Sequence, residues 1–219
     1  MEPLGSNDPR RVGRFRLVGR LGEGGMGVVY LGTSWTGRQV AVKVIHEDLV
    51  SDSVARLRFA REVRAARAVN GLFTAPVLRA DVDADPPWLA TDYLPGVSLW
   101  EAVEVFDSGF PTDTVRSLAL AMAEALASIH HSGVVHRDLT PRNVMLTADG
   151  PRVIDFGISR ISGEQPITRP ASVLGTRAYV APERWRGGPP HPSADVFALG
   201  ACLVFAATGR PPAAGDRGT

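Results

Sequence analysis

Lysine is almost missing from this chain: of 24 basic side chains, 23 are arginine and one, Lys43, is lysine. Cysteine is as scarce. Cys202 stands alone, which excludes an intrachain disulfide and fits a reducing compartment. It lies in an apolar helical pattern, so its thiol reads as buried and inert rather than nucleophilic. Long apolar runs are also lacking. The longest, Val196 to Ala207, falls short of the roughly 20 residues a bilayer span needs. Residues 1–11 are polar and carry no apolar centre, which excludes a secretory leader and predicts a flexible tail. A net charge of +1 gives no general electrostatic case for nucleic acid or an anionic membrane. The arginines between Arg10 and Arg20 and between Arg56 and Arg67 read as solvated faces. A soluble, cytoplasmic protein is the expectation.

What is present is an ordinary globular composition, 44% apolar and 21% charged, in a length that suits one large domain or two small ones. From Phe15 to Ile45, short β-branched runs separated by glycine turns predict antiparallel hairpins. Ser51 to Val69 predicts a helix with arginines on its wet face, and Val77 to Ala80 and Trp88 to Tyr93 predict two more strands. After Tyr93 the character changes. Thr112 to His131 repeats apolar residues every three or four positions, as a helix on a core does. Asn143 to Leu146 and Pro151 to Ile154 flank an Asp-Gly turn and predict a hairpin. Ser159 to Val173, with its two prolines, reads as a mobile loop, and Ser193 to Thr208 as a second buried helix. No internal repeat is visible.

The lone lysine suggests a position where guanidinium fails, because ammonium is a compact point charge and guanidinium a broad fork. Upstream lies Gly22-Glu23-Gly24-Gly25-Met26-Gly27. A glycine triplet of this spacing is weak evidence alone, since dinucleotide-binding turns share it. Here the residues that follow, Val28 to Leu31, favour a strand. The glycines then form a hairpin lid whose amides approach phosphates closely. A Walker-type loop is excluded, since it needs Gly-Lys. Lys43 would project from a strand beneath the lid toward phosphates, held by a carboxylate on the following helix, for which Glu62 is the candidate. The densest signal is His136-Arg137-Asp138-Leu139-Thr140-Pro141-Arg142-Asn143, followed by Asp155-Phe156-Gly157. Phosphoryl transfer needs a carboxylate to orient an attacking hydroxyl, a task suiting Asp138. It also needs oxygen ligands for a divalent metal, a task suiting Asn143 and Asp155.

At this point the chain resembles the bacterial serine/threonine protein kinases related to eukaryotic ones, from about Val12 to about Pro212. The resemblance rests on GEGGMGVV, VAVK, HRDLTPRN, DFG and GTRAYVAPE. It implies an α+β, two-lobed kinase-like fold: a small antiparallel-sheet lobe with one helix (12–92), and a mainly helical lobe (93–219) lacking its last helices. It also implies ATP with Mg2+ or Mn2+ in the cleft. Leu21, Gly22, Gly24, Gly27, Val29, Ala41 and Lys43 would line the nucleotide site, with Thr91 bordering adenine and Asp92 and Leu94 in the hinge. Asp195 would anchor the catalytic loop through its backbone. Arg137 would receive a phosphate placed on the mobile loop at Thr168 or Ser172, and Thr176 would contact Asp138 in the substrate site.

Two departures from the family pattern stand out. The lysine usual two residues after the catalytic aspartate is Thr140, and Arg142 is the candidate to replace that cation. The lower lobe stops early, leaving Glu183 without its usual arginine as a partly buried, unpaired charge. It also leaves the helix at Val196 to Ala207 uncovered, from which self-association is expected. The leading reading is a kinase acting on protein substrates and on itself. The rivals are a catalytically weak or dead nucleotide-binding scaffold and, less favoured, a small-molecule phosphotransferase.

Overall fold

Alternation of side chains along the early strands organises the first half of the chain. The computed structural model describes residues 1–50, 53–106, 108–156 and 177–212. Strands β1 (Arg11–Val12), β2 (Phe15–Gly24), β3 (Gly27–Thr33), β4 (Gln39–Ile45), β5 (Val77–Asp81) and β6 (Trp88–Asp92) form one antiparallel sheet, in the order β1-β2-β3-β4-β6-β5. Register sorts its two faces. Tyr30, Val42 and Ala90 oppose one another and join Val40, Phe15, Leu17 and Trp88 in an outer core. The next row, Val29, Lys43 and Leu89, turns the other way, as do Ala41 and Thr91. Helix α1 (Ser53–Ala68) covers part of that inner face, burying Ala55, Phe59, Val63 and Ala66 at helical spacing.

The second half is mainly helical. Helices α2 (Leu99–Phe106), α3 (Thr112–His131), α4 (Pro182–Trp185) and α5 (Pro192–Thr208) accompany a three-stranded sheet of β7 (Gly96–Ser98), β8 (Val144–Thr147) and β9 (Gly150–Val153). Leu118, Met122, Ala125 and Ile129 of α3 share a core with Ala198, Cys202 and Phe205 of α5. Helix α5 stops at Gly209, whose φ of 70° is the left-handed conformation that ends many helices. One continuous core joins the halves, running from Phe59 and Leu89 through Leu139 and Phe156 to Met122 and Phe205.

Three expectations change. The leading residues are not a loose tail: Glu2 bridges Arg20, and Asp8 is buried against Arg20 and Tyr30. Strand β7 and helix α2 were not anticipated, because three- and eight-residue elements hold too few turns to show a period. Glu183 is exposed, so water solvates the carboxylate expected to be partly buried. The loop 159–173 lies outside the described residues.

Candidate active site

Lys43 sits on β4 directly opposite Val29 of β3, and Ala41 sits opposite Thr91 of β6. These four side chains are half-buried, whereas Val40, Val42 and Ala90 on the opposite face are at most 1% exposed. The inner face is therefore the open one. Above it, β2 and β3 close a two-residue turn through Gly25 and Met26, with Gly24 paired to Gly27. Gly22 faces Val29 across this hairpin. Gly27 has φ 154°, and a Cβ there would lie 1.9 Å from the Val44 carbonyl oxygen. Only glycine lets the hairpin lie this close to β4. Leu21 and Leu94 are half-buried at the two ends of this face. Asp92 is placed differently: alternation turns its carboxylate to the outer face, where Arg38 binds it. Only its backbone is left for the cleft.

The loop after α3 is built around a buried carboxylate. Asp195 of α5, 1% exposed, accepts hydrogen bonds from the backbone amides of His136 (2.7 Å) and Arg137 (2.9 Å), and its Oδ2 lies 2.8 Å from His130 Nε2. His136 is fully buried, and its Nε2 lies 3.1 Å from the Ile154 carbonyl oxygen. Burial lowers its pKa below the usual histidine value. The neutral ring thus donates from Nε2 and leaves Nδ1 to accept, weakly, from the Asp138 amide at 3.4 Å.

A string of hydrogen bonds connects the predicted functional residues. Lys43 Nζ lies 2.9 Å from Asp155 Oδ2. The Ile154 amide donates to the Asn143 carbonyl oxygen (3.0 Å), and Asn143 Nδ2 donates to the Asp138 carbonyl oxygen (2.7 Å). Lys43, Asp155, Asn143 and Asp138 therefore lie together although they are scattered in sequence. Arg137 and Asp155 adopt φ of 70° and 57°. Non-glycine residues hold such conformations at about 1 kcal/mol or more, most often at functional sites.

Two partners differ from the sequence expectation. Glu62 does not bind Lys43. It binds Arg137, in a close ion pair on the inner side of α1, and Lys43 is left to Asp155. Among the described residues, Glu62 Oε2 and Arg137 Nε remain buried without hydrogen-bond partners. Burial raises the Glu62 carboxyl above its ordinary pKa, more than Arg137 lowers it. Arg142, the candidate to replace the missing lysine, is placed against an aromatic ring. Its guanidinium lies 4.5 Å from the centroid of the Trp100 ring, a cation–π contact on α2. Thr176, Thr168 and Ser172 lie outside the described residues.

The donor set fits a hard divalent cation. Asn143 is held through its amide nitrogen, its oxygen being the atom of the right chemistry for a hard cation, and Asp155 is one third exposed. Among the described residues no group of three or more histidine, cysteine or acidic side chains could hold an ion.

A lid hairpin over a lysine, a carboxylate-bearing loop fixed from below and two flanking lobes define a protein-kinase-like fold. The comparisons agree. The chain matches the family model described as protein kinase domain over residues 15–219. It is 51% identical over 216 residues to a protein named probable serine/threonine-protein kinase PkwA, from Thermomonospora curvata, an alignment covering 99% of this chain and 29% of that one. It is also 51% identical over 213 residues to serine/threonine-protein kinase AfsK of Streptomyces coelicolor, covering 97% and 26%. The PknI kinase domain of Mycobacterium tuberculosis superposes with a TM-score of 0.76 at 28% identity, over 99% of this chain and 82% of that one. The chain belongs to the protein kinase family, and its relatives named here are bacterial serine/threonine kinases. It spans under a third of the length of these two curated relatives. Nothing in these matches favours the scaffold reading.

Proposed function

We propose that this chain is an ATP-dependent kinase domain that transfers the γ-phosphoryl group to serine or threonine hydroxyls of proteins, itself included. The observation that carries this reading is the chain of hydrogen bonds that brings Lys43, Asp155, Asn143 and Asp138 together next to the glycine hairpin. Val29, Ala41 and Thr91 supply a half-buried floor for an adenine ring, with Leu21 and Leu94 at its margins. The lid amides at Gly22, Gly24 and Gly27 face the phosphates, and Lys43 neutralises them. Asn143 and Asp155 would hold magnesium or manganese, which would supply neutralisation of phosphate charge when bound. Asp138 orients the substrate hydroxyl and takes its proton while the oxygen bonds to the γ-phosphorus and the bond to the β-bridging oxygen breaks. Thr176, which lies outside the described residues, is assigned to the substrate site on its Gly175-Thr176 motif alone.

Control belongs to the same residues. Arg137 now holds Glu62. A phosphoryl group at Thr168 or Ser172 competes for that guanidinium, and the released Glu62 turns to Lys43. Val196, Phe197 and Val204 are exposed on α5, which favours self-association. No described helix is long and apolar enough to cross a membrane; an ATP-using domain of this kind acts on the cytoplasmic side.

Transfer from radiolabelled ATP to the chain or to a basic protein tests the reading. Asp138→Asn is expected to lose about 10²- to 10⁴-fold in rate while still binding nucleotide. Lys43→Met is expected to weaken both. Nucleotide binding without transfer by the unaltered chain would overturn the kinase reading.

A further inference from the structure

Residues 1–12 form a strap along the free edge of β2. Glu2 exchanges two backbone hydrogen bonds with Arg20 (2.9 and 2.8 Å), the Leu17 amide donates to the Arg10 carbonyl oxygen, and Arg11 pairs with Arg16. Between these contacts the strap loops outward and returns, and Asp8 fills the loop. Its carboxylate accepts from the Gly5 amide (2.7 Å), Arg20 Nε (2.8 Å), Arg20 Nη2 (2.6 Å) and the Tyr30 hydroxyl (2.8 Å). Four donors on one carboxylate, only 2% exposed, are more than an incidental surface pair provides. Burial raises the Tyr30 pKa to about 12, and the Arg20 guanidinium holds the Asp8 carboxyl well below its usual range.

The location gives the cluster its meaning. Arg20 and Tyr30 are cross-strand partners on β2 and β3, the last regular pair before the register shift that precedes Gly22. Beyond them the hairpin is open, residues 22–25 are exposed, and added side chains at Gly22 or Gly24 would meet nothing within 4 Å. Arg20 also reaches forward, its Nη1 lying 3.0 Å from Glu23 Oε2 at the turn. At Gly19 a Cβ would lie 2.8 Å from the Glu2 carbonyl oxygen and 3.1 Å from Met1 Cγ, so the strap seats only because that position is glycine. On its β4 side the turn is held by the His46 amide, which donates to the Met26 carbonyl oxygen (3.0 Å), and by Met26 packed on the main core; on its β2 side the Asp8 cluster is what fixes the root.

We infer that Asp8, Arg20 and Tyr30 are positioning residues for the glycine lid: the strap clamps the hairpin at its base and sets the height at which its amides meet a triphosphate. The inference rests on the kinase reading above. It predicts that loss of the clamp affects recognition of phosphates and spares recognition of adenine.

The test uses the full chain with Asp8→Asn, Tyr30→Phe or Gly19→Ala; Tyr30→Phe removes one hydroxyl and keeps the packing. Without nucleotide, amide exchange at Gly22 to Gly27 is expected to quicken at least about tenfold in Asp8→Asn, with exchange in α3 unchanged. ATP affinity is expected to fall about five- to tenfold, with adenosine affinity kept within about twofold. Unchanged lid exchange, or equal losses for ATP and adenosine, would overturn the clamp. Failure of the unaltered chain to bind ATP would instead strike the kinase reading, and the exchange measurement would still decide the clamp.

Discussion

Glu62 and Arg137 hold each other in a place where neither is fully satisfied. Their side chains are 15% and 25% exposed, one oxygen and one nitrogen lack partners, and Arg137 keeps a positive φ as well. Such a pair is easily traded, because a better acceptor for Arg137 would cost the fold little. Arg137→Ala leaves the Glu62 carboxylate half-stranded and is expected to destabilise by about 1–3 kcal/mol. Glu62→Gln added to it is expected to recover much of that loss. A double-mutant cycle by urea denaturation measures the coupling, and strict additivity would mean that the two side chains do not depend on each other. Lys43 meets its own partner 2.9 Å away in Asp155. The expected roles of Lys43 and Asp155 followed from their motifs, but which acid each base would choose did not. Competing ion pairs of similar worth are separated by backbone placement, on which a one-dimensional pattern is silent.

At the scale of elements, the lid shows how a local sequence dictates a local shape. Gly24 pairs with Gly27 across a two-residue turn, and Gly27 lies against the Val44 carbonyl. Gly27→Ala is expected to push β3 off β4, cost about 1–3 kcal/mol and weaken nucleotide binding. A melting curve and a binding titration check both, and an unchanged melting temperature would show that β4 yields without cost. The hairpins, α1, α3 and α5 were legible in the sequence because their patterns run long enough to average out single residues. Helix α2 was missed, yet a signal was there. In Ser98-Leu99-Trp100-Glu101 the Glu101 amide donates to Ser98 Oγ and the Ser98 amide to Glu101 Oε2, a reciprocal cap that the S-x-x-E spacing announces. The strap was missed for a different reason. Its contacts are backbone pairs and one carboxylate, and neither leaves an apolar period to read.

The larger of the two cores runs through both halves, so the site and the stability of the fold depend on the same interior. His136 lies between them, neutral and buried beneath the loop that carries Asp138. Its pKa is lowered on folding, so below the ordinary value of 6.5 the unfolded chain binds a proton that the native chain refuses. Stability contributed by the neutral ring is present above 6.5 and declines as the pH falls, with a slope approaching about 1.4 kcal/mol per pH unit. Urea midpoints between pH 7.5 and 5 are expected to drop accordingly, and His136→Asn to flatten the profile; an equally steep profile in that variant would assign the slope elsewhere. Asp195 ties the same interior together, linking α5 to α3 through His130 and to the loop through two amides. A last consequence follows from the basic side chain at position 43, whose 13% exposure leaves its tip within reach of small reagents. Reductive methylation of this 219-residue chain with isotope-enriched formaldehyde would label one ε-amine, besides the terminal α-amine. Its single resonance would then follow, without assignment work, when that nitrogen leaves one carboxylate for another.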